Sequence, residues 1–388
     1  MKALRQYLDK IKPKFEPGGK LHAFQSIFDG LETFLYVPNT TSKVGTHIHD
    51  SIDSKRIMSM VVIAALPALL FGMYNVGYQN YAAAGHLADA SFFDLFFFGF
   101  LAVLPKVVVS YAVGLGIEFA WAQWKHEEIQ EGFLVTGILI PLIIPVSCPL
   151  WILVLAVAFS VVICKEIFGG TGMNIFNVAL CARAFLFFSY PSKMTGDTVW
   201  VASNSILGFG YDLPDGFTAA TPLGEIGVGA NVPYSLSDMI TGFIPGSVGE
   251  TSVIAIGIGA IILLWTGIAS WRTMGSVFGG GILMALLFKH LGMTSIDWYE
   301  HIVLGGFCFG AVFMATDPVT SARTHTGQWI YGFLIGAMAL IIRVMNPGYP
   351  EGMMLAILFA NMFAPLIDYY VVQANISKRM KRLTKNNK

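Results

Sequence analysis

The chain has 388 residues, 55% of them hydrophobic and 12% charged, with 24 basic and 24 acidic side chains and a mean hydropathy of +0.64. That composition excludes a water-soluble globular domain, gives no reason to expect a nucleic-acid partner, and reads as a membrane protein. Cys148, Cys164, Cys181 and Cys308 lie in or beside apolar runs with no C-x-x-C spacing, so they read as small buried side chains and no resident metal is expected.

The chain opens on MKALRQYLDKIKPKFEPGGK, which is charged throughout and lacks the apolar core of a signal peptide, so the mature protein is expected to start at Met1. Leu4, Tyr7, Leu8 and Ile11 recur at helical spacing opposite Lys2, Arg5, Lys10 and Lys12. The pattern predicts a short basic helix, lying either on membrane lipids or against a partner. Residues 1–55 as a whole are too short and too poor in apolar side chains to bury a core, and His47 and His49 in THIHD read as surface residues.

Runs able to cross about 30 Å of hydrocarbon follow at roughly 57–77, 97–122, 133–146, 150–168, 174–191, 252–271, 273–289, 301–316, 328–346 and 351–371. The expected fold is therefore all-α and integral to the membrane, with about ten transmembrane helices. The chain divides into a cytoplasmic segment (1–55), a first five-helix half (56–191), an extracytoplasmic loop (192–251), a second half (252–372) and a basic cytoplasmic tail (373–388). With the amino terminus inside, 19 of the 24 basic residues fall on the inner side and three outside, leaving Lys106 and Arg183 within spans, so both termini are expected in the cytoplasm. An odd number of spans per half makes the halves inverted. GILIPLIIPVSCP before the fourth span and GAVFMATDPVTSA before the ninth each place a Pro-containing stop after a short helix, the pattern of inverted-repeat transporters.

Ionisable residues inside spans are costly and are functional candidates: Lys106, Glu118, Arg183, Asp317 and Asp368. Each has an ordinary reading too. Lys106 would snorkel outward, Glu118 and Asp368 sit toward cytoplasmic helix ends, Asp317 would cap the turn TDPVTS, and Arg183 would brace carbonyls. Three carboxylates along the spans suit a hard monovalent cation. In KEIFGGTGMNIFNVALCARAF, Asn174 and Asn177 share one face at a helix start. They would read the amide-like edge of a planar heterocycle, or cap a tight turn. In the outer loop Thr221 precedes Pro222, the signature of an N-cap with Pro at the first helical position. Gly114, Leu115 and Gly116 form no dinucleotide fingerprint, because no βαβ pattern surrounds them, and no NADH site is visible.

The strings FEPGGK, MYNVGYQ, KHEEIQEGFLVTGILIPLIIP, KEIFGGTGMNIFNVALCARAFLFF, IPGSVGE, MATDPVTSA and NPGYPEGMMLAILFANMFAPLIDYYVV, between about residues 10 and 375, resemble the B-subunit family of sodium-translocating NADH:quinone reductases. The resemblance implies ten membrane helices in a bacterial inner membrane, and FMN held by a phosphoester on the last Thr of an S/T-x-A-T motif. That motif is matched by Thr218, Ala219, Ala220 and Thr221, which places FMN on Thr221. It also implies a non-covalent riboflavin at Asn174 and Asn177, and a quinone site at a glycine pair near a membrane Glu. The pair is matched only by Gly114, since Leu115 follows it, and the acid by Glu118. Glu118, Asp317 and Asp368 match acids of the sodium route, and Phe309 and Phe313 match aromatics that constrict it. The implied partners are the other subunits of the complex, quinone, Na⁺ and a flavin transferase acting outside the cytoplasm. Two other readings compete. One is the D subunit of an Rnf-type complex, which lacks the long amino-terminal segment; the other is a passive inverted-repeat channel or solute carrier, which needs no flavin threonine.

Overall fold

The computed structural model describes residues 2–15, 19, 25–36, 44–46, 54–125, 132–214, 217–227, 234–346, 348 and 350–386. His47 and His49 lie outside the described residues. The amphipathic spacing at the amino terminus forms α1 (Lys2–Ile11), and a second helix that the sequence pattern does not announce, α2 (Gln25–Leu35), lies against it. The clamp is polar and aromatic at once. Glu32 of α2 accepts from Arg5 at 3.0 Å and Lys12 at 2.9 Å, and Phe15 stacks on Phe28 at 4.7 Å. The basic face of α1 is thus partly spent on its own chain.

The apolar runs form α3 (Ser54–Ala83), α4 (Phe92–Lys125), α5 (Phe133–Ile143), α6 (Leu150–Cys164) and α7 (Val178–Ser189). After the short α8 (Pro191–Met194), α9 (Pro222–Gly227) and α10 (Leu236–Thr241) of the outer loop come α11 (Val253–Trp265), α12 (Trp271–His290), α13 (Trp298–Val303), α14 (Phe307–Phe309), α15 (His325–Met345) and α16 (Met353–Asn386). Six helical segments, α3, α4, α6 together with the turn that extends it to Phe168, α12, α15 and α16, are long and apolar enough to cross a membrane among the described residues. The runs at 133–146, 174–191, 252–271 and 301–316 give shorter pieces. An 11-residue helix such as α5 spans only ~16 Å at 1.5 Å per residue.

The helix contacts repeat between the halves. α4 packs on α6 as α12 packs on α15, and α6 on α7 as α15 on α16, while α3 meets α11 and α7 meets α16 across the middle. Small residues make the tightest of these contacts possible. A Cβ added at Gly280 or Gly336 would collide with the carbonyls of Phe333 and Val277, so α12 and α15 touch backbone to backbone. Both short helices also stop where Pro follows. α5 ends at Ile143 before Pro145, and its last carbonyls are taken by Gly249 N–H (Leu142 O, 2.8 Å) and the Ser247 hydroxyl (Ile143 O, 3.3 Å). α14 runs into a π-helical turn, Gly310–Met314, before the 317–320 turn that contains Pro318. A proline inside a helix removes a hydrogen bond and is expected to interrupt the tenth span, yet Pro365 does not. α16 passes through it unbroken, because lipid-facing and packed membrane helices tolerate an internal Pro whose lost bond neighbouring groups replace.

Three charged residues sit otherwise than expected. Lys106 does not snorkel; it is buried and donates to Ala102 O of its own helix at 3.2 Å. Lys165 and Arg343, assigned to loops by the charge pattern, are both buried. Two polar residues of the MYNVGYQ stretch and its neighbour tie down the outer loop: Asn75 donates to Ile244 O at 3.0 Å, and Asn80 donates to Ala202 O and accepts from Tyr211 N–H at 2.9 Å.

Candidate functional site

Two cavities lie along the membrane part, and each collects one group of the expected residues. The cavity beside the 192–251 loop, about 310 Å³ and called outer after the side expected for that loop, is lined by residues of α7, that loop, the turn before α11, Gly305 and the turn before α16. Thr221 is on its wall. The residue is half-buried, and its hydroxyl accepts from Gly224 N–H at 3.1 Å, so it serves as the N-cap of α9 as its position before Pro222 implied. Trp200 and Phe187 supply aromatic surface on the same wall.

Arg183 crosses this cavity. Its guanidinium bonds Glu250 Oε1 at 2.7 Å and, on its other nitrogen, the Glu351 carboxylate. The expected bracing of carbonyls falls instead to Arg343, which bonds the backbone oxygens of His301, Leu304, Pro350 and Glu351. Gly306 lets the Glu250 carboxylate lie against the chain just before α14, since a Cβ there would meet Oε1 at 2.7 Å. The exposed Asp197 also lines the cavity, and its carbonyl accepts from Ala219 N–H at 2.7 Å, tying it to the loop that carries Thr221. Burial, and then the Asp197 carboxylate, push the Glu225 carboxyl above its ordinary value. Neither Glu250 nor Glu351 was singled out from sequence, because their partner lies 67 and 168 residues away.

The inner cavity is smaller, about 70 Å³, and is lined by Asn174, Asn177, Asp317, Phe313, Thr171 and Lys165 among others. Its polar groups are largely spoken for. Asn177 caps α7 by accepting from Leu180 N–H at 3.2 Å, and donates to Asp317 Oδ2 at 3.3 Å. Asn174 closes its own turn, accepting from Gly172 N–H and donating to Phe176 O at 3.0 Å. Asp317 caps the turn after the π-helical segment, accepting from Val319 N–H at 3.1 Å and the Thr320 hydroxyl at 3.0 Å. Behind it Asn361 of α16 bonds the Tyr331 hydroxyl at 2.6 Å, with its amide oxygen toward Asn177 N–H. The Thr171 hydroxyl is buried without a hydrogen-bond partner among the described residues.

Glu118 reaches the same cavity indirectly, through a buried ion pair with Lys165. Gly114, one turn earlier on α4, is covered by the ring of Phe133, into which any Cβ would project. Phe309 and Phe313 lie on the stretch from Gly305 at the outer cavity to Asp317 at the inner one, both buried, with centroids 4.9 Å apart at 42°. Asp368 stands apart from all of these. It accepts from Arg323 N–H at 2.7 Å, Thr324 N–H at 3.0 Å and the Thr324 hydroxyl at 2.5 Å, and so holds the first turn of α15. Among the described residues no group of three or more His, Cys, Asp or Glu forms a metal centre.

A model of the NQR2, RnfD, RnfE family matches residues 41–377. Among similar proteins, the B subunit of the Na(+)-translocating NADH-quinone reductase of Chromohalobacter salexigens is 47% identical, over 98% of this chain and 96% of its own. Proteins of the same name from Ectopseudomonas mendocina and Pseudoalteromonas atlantica are 45% and 42% identical, each over 98% of this chain and 99% of theirs.

Proposed function

The chain belongs to the NQR2, RnfD, RnfE family, and on that footing we propose that it is a flavin-carrying, ion-conducting B subunit, with Thr221 as the point of FMN attachment. It is a multi-pass membrane subunit of the sodium-pumping NADH:quinone reductase, an oxidoreductase that translocates Na⁺ with the other subunits of the complex. The observation that carries the flavin reading is the place of the Thr221 hydroxyl, on the wall of the larger cavity beside Trp200 and Phe187. A volume of about 310 Å³ falls at the lower end of small-molecule pockets, about 300–1,000 Å³, and aromatic walls suit a planar heterocycle. The residues fit the group. When bound, FMN would supply one- and two-electron transfer; the chain supplies the hydroxyl for the phosphoester, the aromatic wall and the fixed charges of Arg183, Glu250 and Glu351.

Riboflavin at Asn174 and Asn177 belongs to the same reading, although about 70 Å³ holds a few waters and not a three-ring heterocycle. Binding there requires the start of α3 and the 316–319 turn to separate, after which the amides of both Asn and the Thr171 hydroxyl would be available to a polar edge. The quinone is assigned to the α4 face of Gly114 and Glu118, and the ion route to Glu118, Asp317 and Asp368 with the Phe309–Phe313 pair between the cavities. The repeated helix contacts and the two stopped helices support ten crossing segments in two inverted halves. The excess of Lys and Arg on one side of the expected spans supports both termini in the cytoplasm, the membrane being the bacterial inner membrane that the family resemblance implies. Detecting flavin fluorescence in the denatured chain after electrophoresis tests the central assignment; a dark band sinks it.

A further inference from the structure

The outer cavity carries more negative charge than its flavin role requires. Of the charged side chains on its wall, Arg183 faces three acids, Asp197, Glu250 and Glu351. Extending the count one layer, to Arg343 behind Gly305 and Glu225 beside Asp197, adds one charge of each sign and leaves the excess unchanged. A phosphoester on Thr221 would deepen it. The Glu225 carboxyl already shows the strain of that crowding, being raised by burial and by its acidic neighbour.

A second, independent feature lies on the same wall. Thr251 is 4% exposed, lines the cavity, and its hydroxyl has no hydrogen-bond partner among the described residues. Buried hydroxyls are nearly always satisfied, so an orphan on a cavity wall points to a ligand that accepts its lone pairs or its proton. It adjoins Glu250, which bonds Arg183 through one of its oxygens and is also met by the Ser247 side chain, and Ser247 itself, whose hydroxyl lies within hydrogen-bond reach of Ile143 O as well. A carboxylate and two hydroxyl oxygens within one five-residue turn, in a cavity of net negative charge, are the donor set of a hard cation.

We propose that the outer cavity binds a monovalent metal cation at the turn before α11, with Glu250 and Thr251 as ligands. That the cation is sodium rests on the proposed role in the sodium-pumping complex; the site itself rests on the cavity. Placed at the outer end of the Phe309–Phe313 stretch, it is the last stop of an ion leaving that route. Arg183 sets its strength, since it shares the Glu250 carboxylate and keeps the site from holding the cation too tightly for release.

The test compares the intact complex carrying the wild-type chain, Thr251→Val or Glu250→Gln. Equilibrium binding of radioactive sodium is measured with choline chloride holding the ionic strength constant, and is repeated with lithium and potassium as competitors. Thr251→Val keeps the shape of the side chain and removes only the orphan oxygen. The expected result is one sodium-binding component weakened several-fold in Thr251→Val and about tenfold or more in Glu250→Gln, the remaining components being unchanged. A sodium isotherm in Thr251→Val identical to wild type overturns the proposal, and would mean that the hydroxyl is met by water alone. If Glu250→Gln fails to assemble, Thr251→Val still decides. Covalent flavin is read in the same preparations by fluorescence after denaturation, so a wild-type chain without flavin removes the Thr221 assignment while the sodium isotherm stands or falls separately.

Discussion

The outer and inner cavities are built from the same kinds of residue and end up with opposite character. Around the inner cavity several polar side chains find a partner close in sequence, Asn177 three residues on, Asn174 two, Asp317 two and three, beside the longer-range Asn177–Asp317 and Lys165–Glu118 contacts. Those local bonds close the turns tightly and leave about 70 Å³. Around the outer cavity the partners are remote, Arg183 of α7 joining Glu250 and Glu351 of the turns before α11 and α16, and the long side chains line about 310 Å³.

Thr221→Ala breaks the outer side alone, and most completely. It lacks the hydroxyl that a phosphoester requires, and should abolish covalent flavin while non-covalent flavin, measured after acid extraction, stays at its wild-type amount. Next, Arg183→Met leaves the buried Glu250 carboxylate and the half-buried Glu351 carboxylate without their shared cation. Removing one partner from a buried ion pair costs about 3–5 kcal/mol, so the complex should assemble poorly or melt early, as seen in thermal unfolding by intrinsic fluorescence. Adding Glu250→Gln to that variant should recover part of the loss; no recovery would mean that the arginine acts through packing.

The inner side gives smaller effects. Replacing Asn174 and Asn177 together with Leu removes the amides proposed for the second flavin. An unmet buried polar edge costs ~1–3 kcal/mol, about tenfold to a hundredfold in riboflavin affinity, with covalent flavin unaffected. Unchanged riboflavin content in the purified double variant would remove these residues from the site and leave them as turn and helix caps. The mildest change is expected at Asp368→Asn. Its carboxylate accepts three hydrogen bonds at the start of α15. The amide keeps part of that anchoring, so turnover should need several-fold more sodium for half-maximal rate. An unaltered sodium curve with a lowered melting temperature would make Asp368 an anchor only.

Hydropathy made the apolar segments legible, and Pro placement made the two stopped helices legible, because both signals are local. Thr221 as an N-cap was readable for the same reason: the cap and its partner Gly224 are three residues apart. Pro365 misled, since the signal that stops a helix in water is overridden in a membrane by packing around the freed carbonyl. The Glu250–Arg183–Glu351 bridge, the Asn361–Tyr331 bond and the Glu118–Lys165 pair were not readable, because nothing in one sequence says which distant helices touch. Lengths misled in another way. The runs at 174–191, 252–271 and 301–316 fold into shorter helices because asparagines or glycines such as Gly267 and Gly305 interrupt them, and the short run at 133–146 ends before Pro145.

The unbroken course of α16 has a mechanical consequence. Its 34 residues make a rod of ~51 Å, and three fixings are spaced along it: Glu351 just before its start, on Arg183; Asn361, on Tyr331; and Asp368, on the first turn of α15. A rod pinned at several points transmits displacement and has little freedom to absorb it by bending. Any shift of Arg183 in the outer cavity is therefore felt as a push along the rod at Asn361, which sits against the N-terminus of α7 where Asn177 meets Asp317. The two cavities are thereby tied to one continuous helix, which its internal proline does not interrupt.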